Sequence, residues 1–394
     1  MNYILLDLYQ RLQKLPDARR TTSGHYLHEQ SSMIVAVFLA VVNNRTSYRA
    51  YSDYIEDNLK ILQAYLYFPH GTPSPDTIRR VINSVDSTML GNIMRDWSGI
   101  HMLDPQYLQA DGKCIRATRS DDGSACHIVT LYASECMASL LEVEVDEKAN
   151  EITAFKTIVN GKKVNFKGKV VTGDAMYCQK CFCRAIHEAG GDYVFVLKGN
   201  QPSMLKDVQL FMADLKECDT KQVVKKGHGR LVVKDIRFTT DVEWLTEIYD
   251  FPGLQSLAEI TTTVTEKGKT STSVMYLISS LSSLDELFAA RERHWGIESM
   301  HWILDTSFDE DYCRARSGHA ALNFNIMRKT GVFLLNLANV ATFSKFKGMG
   351  IKRILARCSN AFHNLLIVLT LVRNVAAIFD GQVRGGATQS LMRI

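Results

Sequence analysis

No stretch of this 394-residue chain suits a membrane crossing. The apolar run Met33–Val42 is too short to span a bilayer. Ala361–Phe379 is long enough, but His363, Asn364, Arg373 and Asn374 interrupt it, so it reads as a buried helix rather than a span. No signal peptide opens the chain. The nine cysteines show no dense spacing, which excludes a disulfide scaffold and fits a reducing cytoplasm. Internal repeats and low-complexity linkers are missing too. Acid is scarce towards the C-terminus: from Tyr312 to Ile394, 12 Lys and Arg face one Asp, a charge of +11, whereas the preceding 311 residues carry −7. A basic segment on a slightly acidic body suggests a polyanionic partner, most commonly nucleic acid. The alternative is a solvated helical face with surplus Arg.

What is present is a globular composition, with 46% hydrophobic and 22% charged residues. The length exceeds one ordinary core, so two or three domains are expected. Residues 1–100 look helical, with a helix-like run at Tyr26–Val42 and a helix start at Ser74-Pro-Asp-Thr-Ile-Arg-Arg-Val-Ile82. From about Pro105 the pattern changes. Tyr107–Ala110, His127–Ala133 and Ser139–Val145 read as strands, with a helix near Asn150–Val159. Lys169–Thr172 and Tyr193–Leu197 read as strands, and Cys178–Ala189 and Pro202–Leu215 as helices. This βββαβαβα order predicts an α/β fold, a ribonuclease-H-like mixed sheet with helices on its faces. Arg230–Thr239, Ser256–Glu266 and Thr270–Ser279 predict a β-rich insertion at about 221–281. Gly318–Phe343, Ile351–Arg357 and Asn360–Phe379 look helical. The expected organisation is a helical N-terminal domain over 1–100 that binds DNA, a catalytic domain over 105–345 and a helical basic region over 346–394.

The most informative stretch is Arg291–Asp305, which reads as a helix. At about 100° per residue, Arg291, His294, Trp295, Glu298, Trp302 and Asp305 share one face, and Ile297, Met300, Leu304 and Phe308 form an apolar stripe beside it. A carboxylate set among Trp, His and Arg against a core is costly unless it is paired or bound to a metal. Asp111 and Asp174 each end a strand-like apolar run, and in the expected fold those strands are neighbours. Three ionised carboxylates brought together repel unless cations sit between them. Oxygen-only ligands favour Mg²⁺ or Mn²⁺, and two such ions can drive in-line displacement at phosphorus. Asp111, as the shared ligand, with Asp174 and Glu298 are therefore the candidate catalytic and metal-binding residues. Asp104, Asp121, Asp122 and Asp192 compete on residue type alone; local context separates the first set. Cys178, Cys181, Cys183 and His187 invite a zinc reading, but on a helix Cys183 and His187 point away from Cys178, so neutral cysteines are expected.

In this context the chain resembles the DDE transposases of bacterial insertion sequences, and within them the H-repeat-associated branch. The resemblance covers most of the chain. It is carried by Pro73-Ser-Pro-Asp-Thr-Ile-Arg-Arg-Val81, Asp111-Gly-Lys113, Lys148-Ala-Asn-Glu-Ile152, Thr172-Gly-Asp-Ala-Met176 and Gly190-Gly-Asp-Tyr-Val194. It continues through Leu197-Lys-Gly-Asn-Gln201, Gly227-His-Gly-Arg230, Tyr276-Leu-Ile-Ser-Ser-Leu281 and His294-Trp-Gly-Ile-Glu298. It implies Asp111, Asp174 and Glu298 as a catalytic triad, two Mg²⁺ or Mn²⁺ ions, double-stranded DNA as substrate, and cleavage at element ends followed by strand transfer by a 3′-hydroxyl. It also implies a homo-oligomer assembled on DNA and a cytoplasmic, nucleoid-associated location, with no membrane and no small-molecule substrate. Related transposases carry Tyr, Arg, Glu and Lys at fixed spacing where this chain has Arg291, His294, Glu298 and Asp305, so the Tyr, Arg and Lys roles do not transfer. Val232 replaces a usual acidic residue, and Arg116-Ala117 a usual Arg-Gly.

Candidate DNA contacts are Arg79, Arg80, Lys113, Arg116, Lys198, His228, Arg230, His294, Trp295, Arg314 and Arg316. Each has a plainer reading. Arg79 and Arg80 suit a solvated face, Lys113, Arg116 and Lys198 suit counter-charge for the carboxylates, and His228 and Arg230 suit a turn. His294 suits support of its helix, and Trp295 and Trp302 suit core packing better than base stacking. A nuclease on the same core without strand transfer, and a DNA-binding remnant of a mobile element, stay open as alternatives.

Overall fold

The computed structural model describes residues 3–19, 27–119, 125–145, 158–159, 164–227 and 229–341. His228, Asp121 and Asp122, most of the helix expected near Asn150–Val159, the Lys148–Ile152 motif and the basic region 346–394 lie outside the described residues.

The N-terminal part forms α1 (Tyr3–Leu12), α2 (Gln30–Val42), α3 (Tyr48–Asp57), α4 (Leu59–Leu62), α5 (Pro75–Ser84) and α6 (Ser87–Ser98). Helix α2 is buried along its whole length, as its nearly all-apolar sequence demands. The start of α5 is as predicted: the Ser74 hydroxyl accepts the Thr77 N–H at 3.3 Å, with Pro75 in the first turn.

A single nine-stranded sheet follows. Its strands are β1 (Tyr107–Cys114), β2 (His127–Ala133), β3 (Ala138–Val145), β4 (Val170–Gly173), β5 (Asp192–Leu197), β6 (Asp219–Gly227), β7 (Arg230–Thr239), β8 (Ser256–Glu266) and β9 (Lys269–Ser279), in the order β3-β2-β1-β4-β5-β9-β8-β7-β6. Strands β1, β4 and β5 run parallel and the other pairs antiparallel. This is the ribonuclease-H-like arrangement, with β1 and β4 adjacent. The β-rich segment is continuous with that sheet, because β9 pairs with β5 from Leu197↔Tyr276 to Val194↔Ser279. Strand β6 and the short helix α9 (Glu243–Tyr249) were not among the expected elements. Strand β6 is an edge strand, mostly exposed and rich in Lys, so it lacks the apolar alternation that betrays a strand.

Helices α7 (Lys180–Glu188), α8 (Pro202–Asp214) and α9 share a core with Leu108, Ala110 and Val171 on one face of the sheet. The other face carries α10 (Leu284–Ser307) and α11 (Ala320–Ala341). One apolar cluster joins α1–α6 to Ile297, Met300 and Leu304 of α10, to α11, and to Ile115, Ile128 and Tyr132. The change in pattern near residue 100 therefore marks a change of secondary structure, while the core runs across it. Helix α7 begins at Lys180, so Cys178 precedes it. Cys178 and Cys183 are buried, and burial pushes the Cys178 thiol up to about 12.

Candidate active site

Strand β1 extends past Asp111, which sits inside it opposite Thr130 rather than at its end. Successive strand residues alternate faces. Leu108 and Ala110 join the core under α7 and α8, and Asp111 faces the α10 side, where its Oδ2 lies 3.4 Å from Nδ1 of His301. Asp111 Oδ1 accepts the N–H of Gly112 at 2.9 Å. Asp174 directly follows β4, beside β1. The loop after it is braced from the Leu197–Gln201 motif: Asn200 Nδ2 donates to the carbonyls of Ala175 (2.6 Å) and Cys178 (3.3 Å), and Gln201 Nε2 to that of Cys178 (3.1 Å).

Helix α10 supplies Glu298. The predicted apolar stripe is correct: Ile297, Met300, Leu304 and Phe308 are all buried. The polar face splits in two. His294 is buried, with Nδ1 2.9 Å from Thr172 Oγ1 and Nε2 3.7 Å from Asp174 Oδ1. Trp295 and Trp302 lie on the opposite flank and are 54% and 66% exposed, so the expectation of core packing fails for both. Glu298, between the flanks, is exposed and not turned into a core. Gly296 permits this docking, because a Cβ there would stand 2.3 Å from Ser134 Cβ. Gly296→Ala is therefore expected to push α10 off the sheet and cost about 1–3 kcal/mol, as overpacking does. Urea denaturation would check it, and an unchanged midpoint would show that α10 sits less tightly than this.

The electrostatics tie the three carboxylates together. Partial burial holds Glu298 above its ordinary value; His294 and Arg291 pull it down, while Asp174 and Asp111 push it further up. Asp174 is held below its ordinary value, first by the imidazole of His294 directed at it, against burial, and then by the charges of His294, Lys198 and Arg291. Burial pushes Arg291 down, and Asp174 and Glu298 oppose that shift. Yet among the described residues no three His, Cys, Asp or Glu side chains close around a point where a metal ion would sit. The donor set fits hard divalent cations in chemistry, all oxygen and mutually repulsive. The two competing acids among the described residues are used elsewhere: Asp104 pairs with Lys169, and Asp192 accepts from the Ser280 hydroxyl at 2.7 Å.

Comparison with known proteins supplies the family. The pattern described as "Transposase DDE domain" matches residues 96–335, and "DDE_Tnp_1-associated" matches residues 9–98. The chain belongs to the DDE transposase family, in its H-repeat-associated branch. It is 29% identical over 381 residues to the "H repeat-associated putative transposase YhhI" of Escherichia coli K12, covering 93% of this chain and 98% of that one. It is 34% identical over 255 residues to an "Uncharacterized protein in dhlA 3'region" of Xanthobacter autotrophicus, covering 62% of this chain and 85% of that one. Among solved structures it overlays on piggyBac transposase in a synaptic complex with hairpin DNA, with TM-score 0.44 and 10% identity, covering 99% of this chain and 80% of that one.

Within this family member the expected DNA contacts occupy very different settings. Lys113 is nearly buried and held by Asp305 and by Glu310 at 2.7 Å, so its charge is committed to an internal ion pair. Burial works against the charged form of Lys113, but Glu310 and Asp305 outweigh it and its value rises. His294 is likewise inside, against Thr172 and Asp174. The remaining candidates among the described residues are on the surface. Arg79 (with Asp76) and Arg80 are exposed on α5; Arg230 pairs with Glu266 at the β7–β8 end; Arg116 meets Asp311 at 3.3 Å. Arg314 and Arg316 are exposed, and Arg316 donates to the Ala117 carbonyl at 3.3 Å. Lys198 is exposed beside Asp174. His301, Arg291 and Thr172 were missed as site residues, although His301 stands one helical turn beyond Glu298, a spacing that signals a shared side. No helix among the described residues is long and apolar enough to cross a membrane.

Proposed function

We propose that the chain is a DNA transposase that cuts phosphodiester bonds at the ends of its element and joins the freed 3′-hydroxyls to target DNA. The observation that supports this reading is that Asp111 and Asp174 stand on and just after adjacent parallel strands under the helix of Glu298, whose ionisation both aspartates oppose. Asp111 would hold both of two Mg²⁺ or Mn²⁺ ions, with Asp174 and Glu298 each favouring one. Bound there, such ions activate the attacking oxygen and stabilise the leaving one. The chain's own residues supply the rest. Exposed Asp174 and Glu298 leave the site open to a duplex. Arg291 and Lys198, beside Asp174, suit the negative charge of a phosphate. Exposed Trp295 and Trp302 flank Glu298 on the solvent side, where a base can stack. Arg79, Arg80, Arg116, Arg230, Arg314 and Arg316 suit backbone contact along the DNA, and such assemblies place two ends together, so a homo-oligomer on DNA is part of the proposal. Action on DNA would place the protein in the cytoplasm at the nucleoid.

The test uses duplexes carrying the inverted repeats that flank the gene, a target plasmid, and buffers with Mg²⁺, Mn²⁺ or EDTA. Cut ends and joined products are expected with either ion and neither product with EDTA. Cutting without joining would favour a nuclease, binding without cutting an inactive remnant, and cutting in EDTA would reject carboxylate-held metal chemistry.

A further inference from the structure

Helix α10 offers one histidine to each aspartate. His294 and His301 lie two turns apart, within about 20° of one another around the helix, with Glu298 between them. His294 reaches Asp174, as described, and its other nitrogen is held by Thr172. His301 reaches Asp111, and here the surroundings are more specific. Its side chain is 13% exposed, its Nδ1 is 3.4 Å from Asp111 Oδ2, and its Nε2 is buried with no hydrogen-bond partner. A buried N–H without an acceptor is rarer than a bare acceptor without a donor. That asymmetry puts the ring hydrogen on Nδ1, the nitrogen nearer Asp111. Asp111 Oδ1 then accepts the Gly112 N–H, and Oδ2 has His301 Nδ1 as a neighbour at 3.4 Å.

We infer that His301 is a positioning residue for Asp111: it orients the shared carboxylate so that it can take divalent cations, and it ties the position of Glu298's helix to that carboxylate. The inference rests on the metal-dependent reading above. The chemistry is general, since a donor to the far side of a ligating group fixes its rotamer, and loss of such a partner weakens metal affinity about 10–100-fold. At 3.4 Å the contact is long for a strong hydrogen bond, so tightening on metal uptake is part of the expectation.

The experiment measures Mn²⁺ binding to the full chain by electron paramagnetic resonance, alongside thermal unfolding without metal. The proteins are wild type, His301→Ala, His301→Asn, His301→Gln and Asp111→Asn. The Asn amide nitrogen falls near the position of His Nδ1, whereas the Gln amide nitrogen falls near Nε2. His301→Ala is expected to weaken Mn²⁺ binding about tenfold or more, His301→Asn to restore most of it, and His301→Gln to restore little. The unfolding midpoint should not follow that order. Equal Mn²⁺ binding in wild type and His301→Ala, or equal behaviour of the Asn and Gln variants, would overturn the inference while leaving the metal reading intact. If wild type takes up no Mn²⁺, or Asp111→Asn binds it as wild type does, the metal reading itself falls and the inference with it.

Discussion

Asp111→Asn, Asp174→Asn and Glu298→Gln are each expected to abolish strand cleavage while DNA binding stays close to wild type. Each change removes a ligand charge without altering shape. Metal stabilisation of the transition state contributes several kcal/mol, and each 1.4 kcal/mol or so is a factor of ten, so losses of about a hundredfold to ten-thousandfold are expected. For Glu298 alone, stability should move the other way. Glu298 is held above its ordinary value by burial and by the two aspartates, so its ionised form is a cost to the metal-free fold. Glu298→Gln removes that cost and should unfold at a slightly higher temperature than wild type when no metal is present. Cleavage of end-bearing DNA and a thermal melt in EDTA measure the two effects. Cleavage that survives Glu298→Gln would reject this residue as part of the trio, and a lower midpoint would show that its carboxylate is used structurally instead.

The second large effect lies behind the site. Glu310 is fully buried, where its carboxylate meets Lys113 Nζ at 2.7 Å, Asn325 Nδ2 at 2.9 Å and Arg328 Nη1 at 3.5 Å. Burial alone would raise its pKa, but Lys113 and Arg328 outweigh it and bring it down from 4.5 to about 2. Removing one partner of a buried ion pair strands the others, at a cost of about 3–5 kcal/mol. Glu310→Ala is expected to lose that much in urea unfolding at neutral pH. The sign with pH follows from the depressed value. The stabilisation is complete above the unfolded value near 4.5 and is lost as pH falls towards about 2. Wild type should therefore weaken over that window while Glu310→Gln, lacking the group, weakens less. Equal acid profiles would show that the buried cluster contributes nothing to pH dependence. Lys113 stands two residues after Asp111 on the same strand, so Glu310→Ala should also slow cleavage.

Much of the frame was readable from local patterns. Ser74-Pro75 announced α5, runs rich in Val, Thr, Ile and Tyr between turns announced β2, β7 and β8 to the residue, and the βββαβαβα order implied that β1 and β4 would be neighbours. That last step is what brings Asp111 and Asp174 within reach of one helix. The apolar stripe of α10 was equally plain from its period. Strand β6 was not, because a charged edge strand carries no apolar period.

By itself, then, the chain order decided which elements form, which faces are apolar and which carboxylates end up on adjacent strands, since capping, periodicity and turn chemistry act over a few residues. Only the tertiary structure decided what each polar side chain meets. Lys113 finds Asp305 and Glu310 across 192 and 197 residues of sequence, which makes it a buried ion-pair partner rather than a phosphate contact. Gly296 lets α10 approach Ser134 closely enough to turn His294 and His301 towards the aspartates and Trp295 and Trp302 towards solvent. Helical spacing placed His294, Trp295 and Trp302 near Glu298 but could not say which flank would face the sheet, because that depends on the volumes packed between helix and strand and not on the period of the sequence.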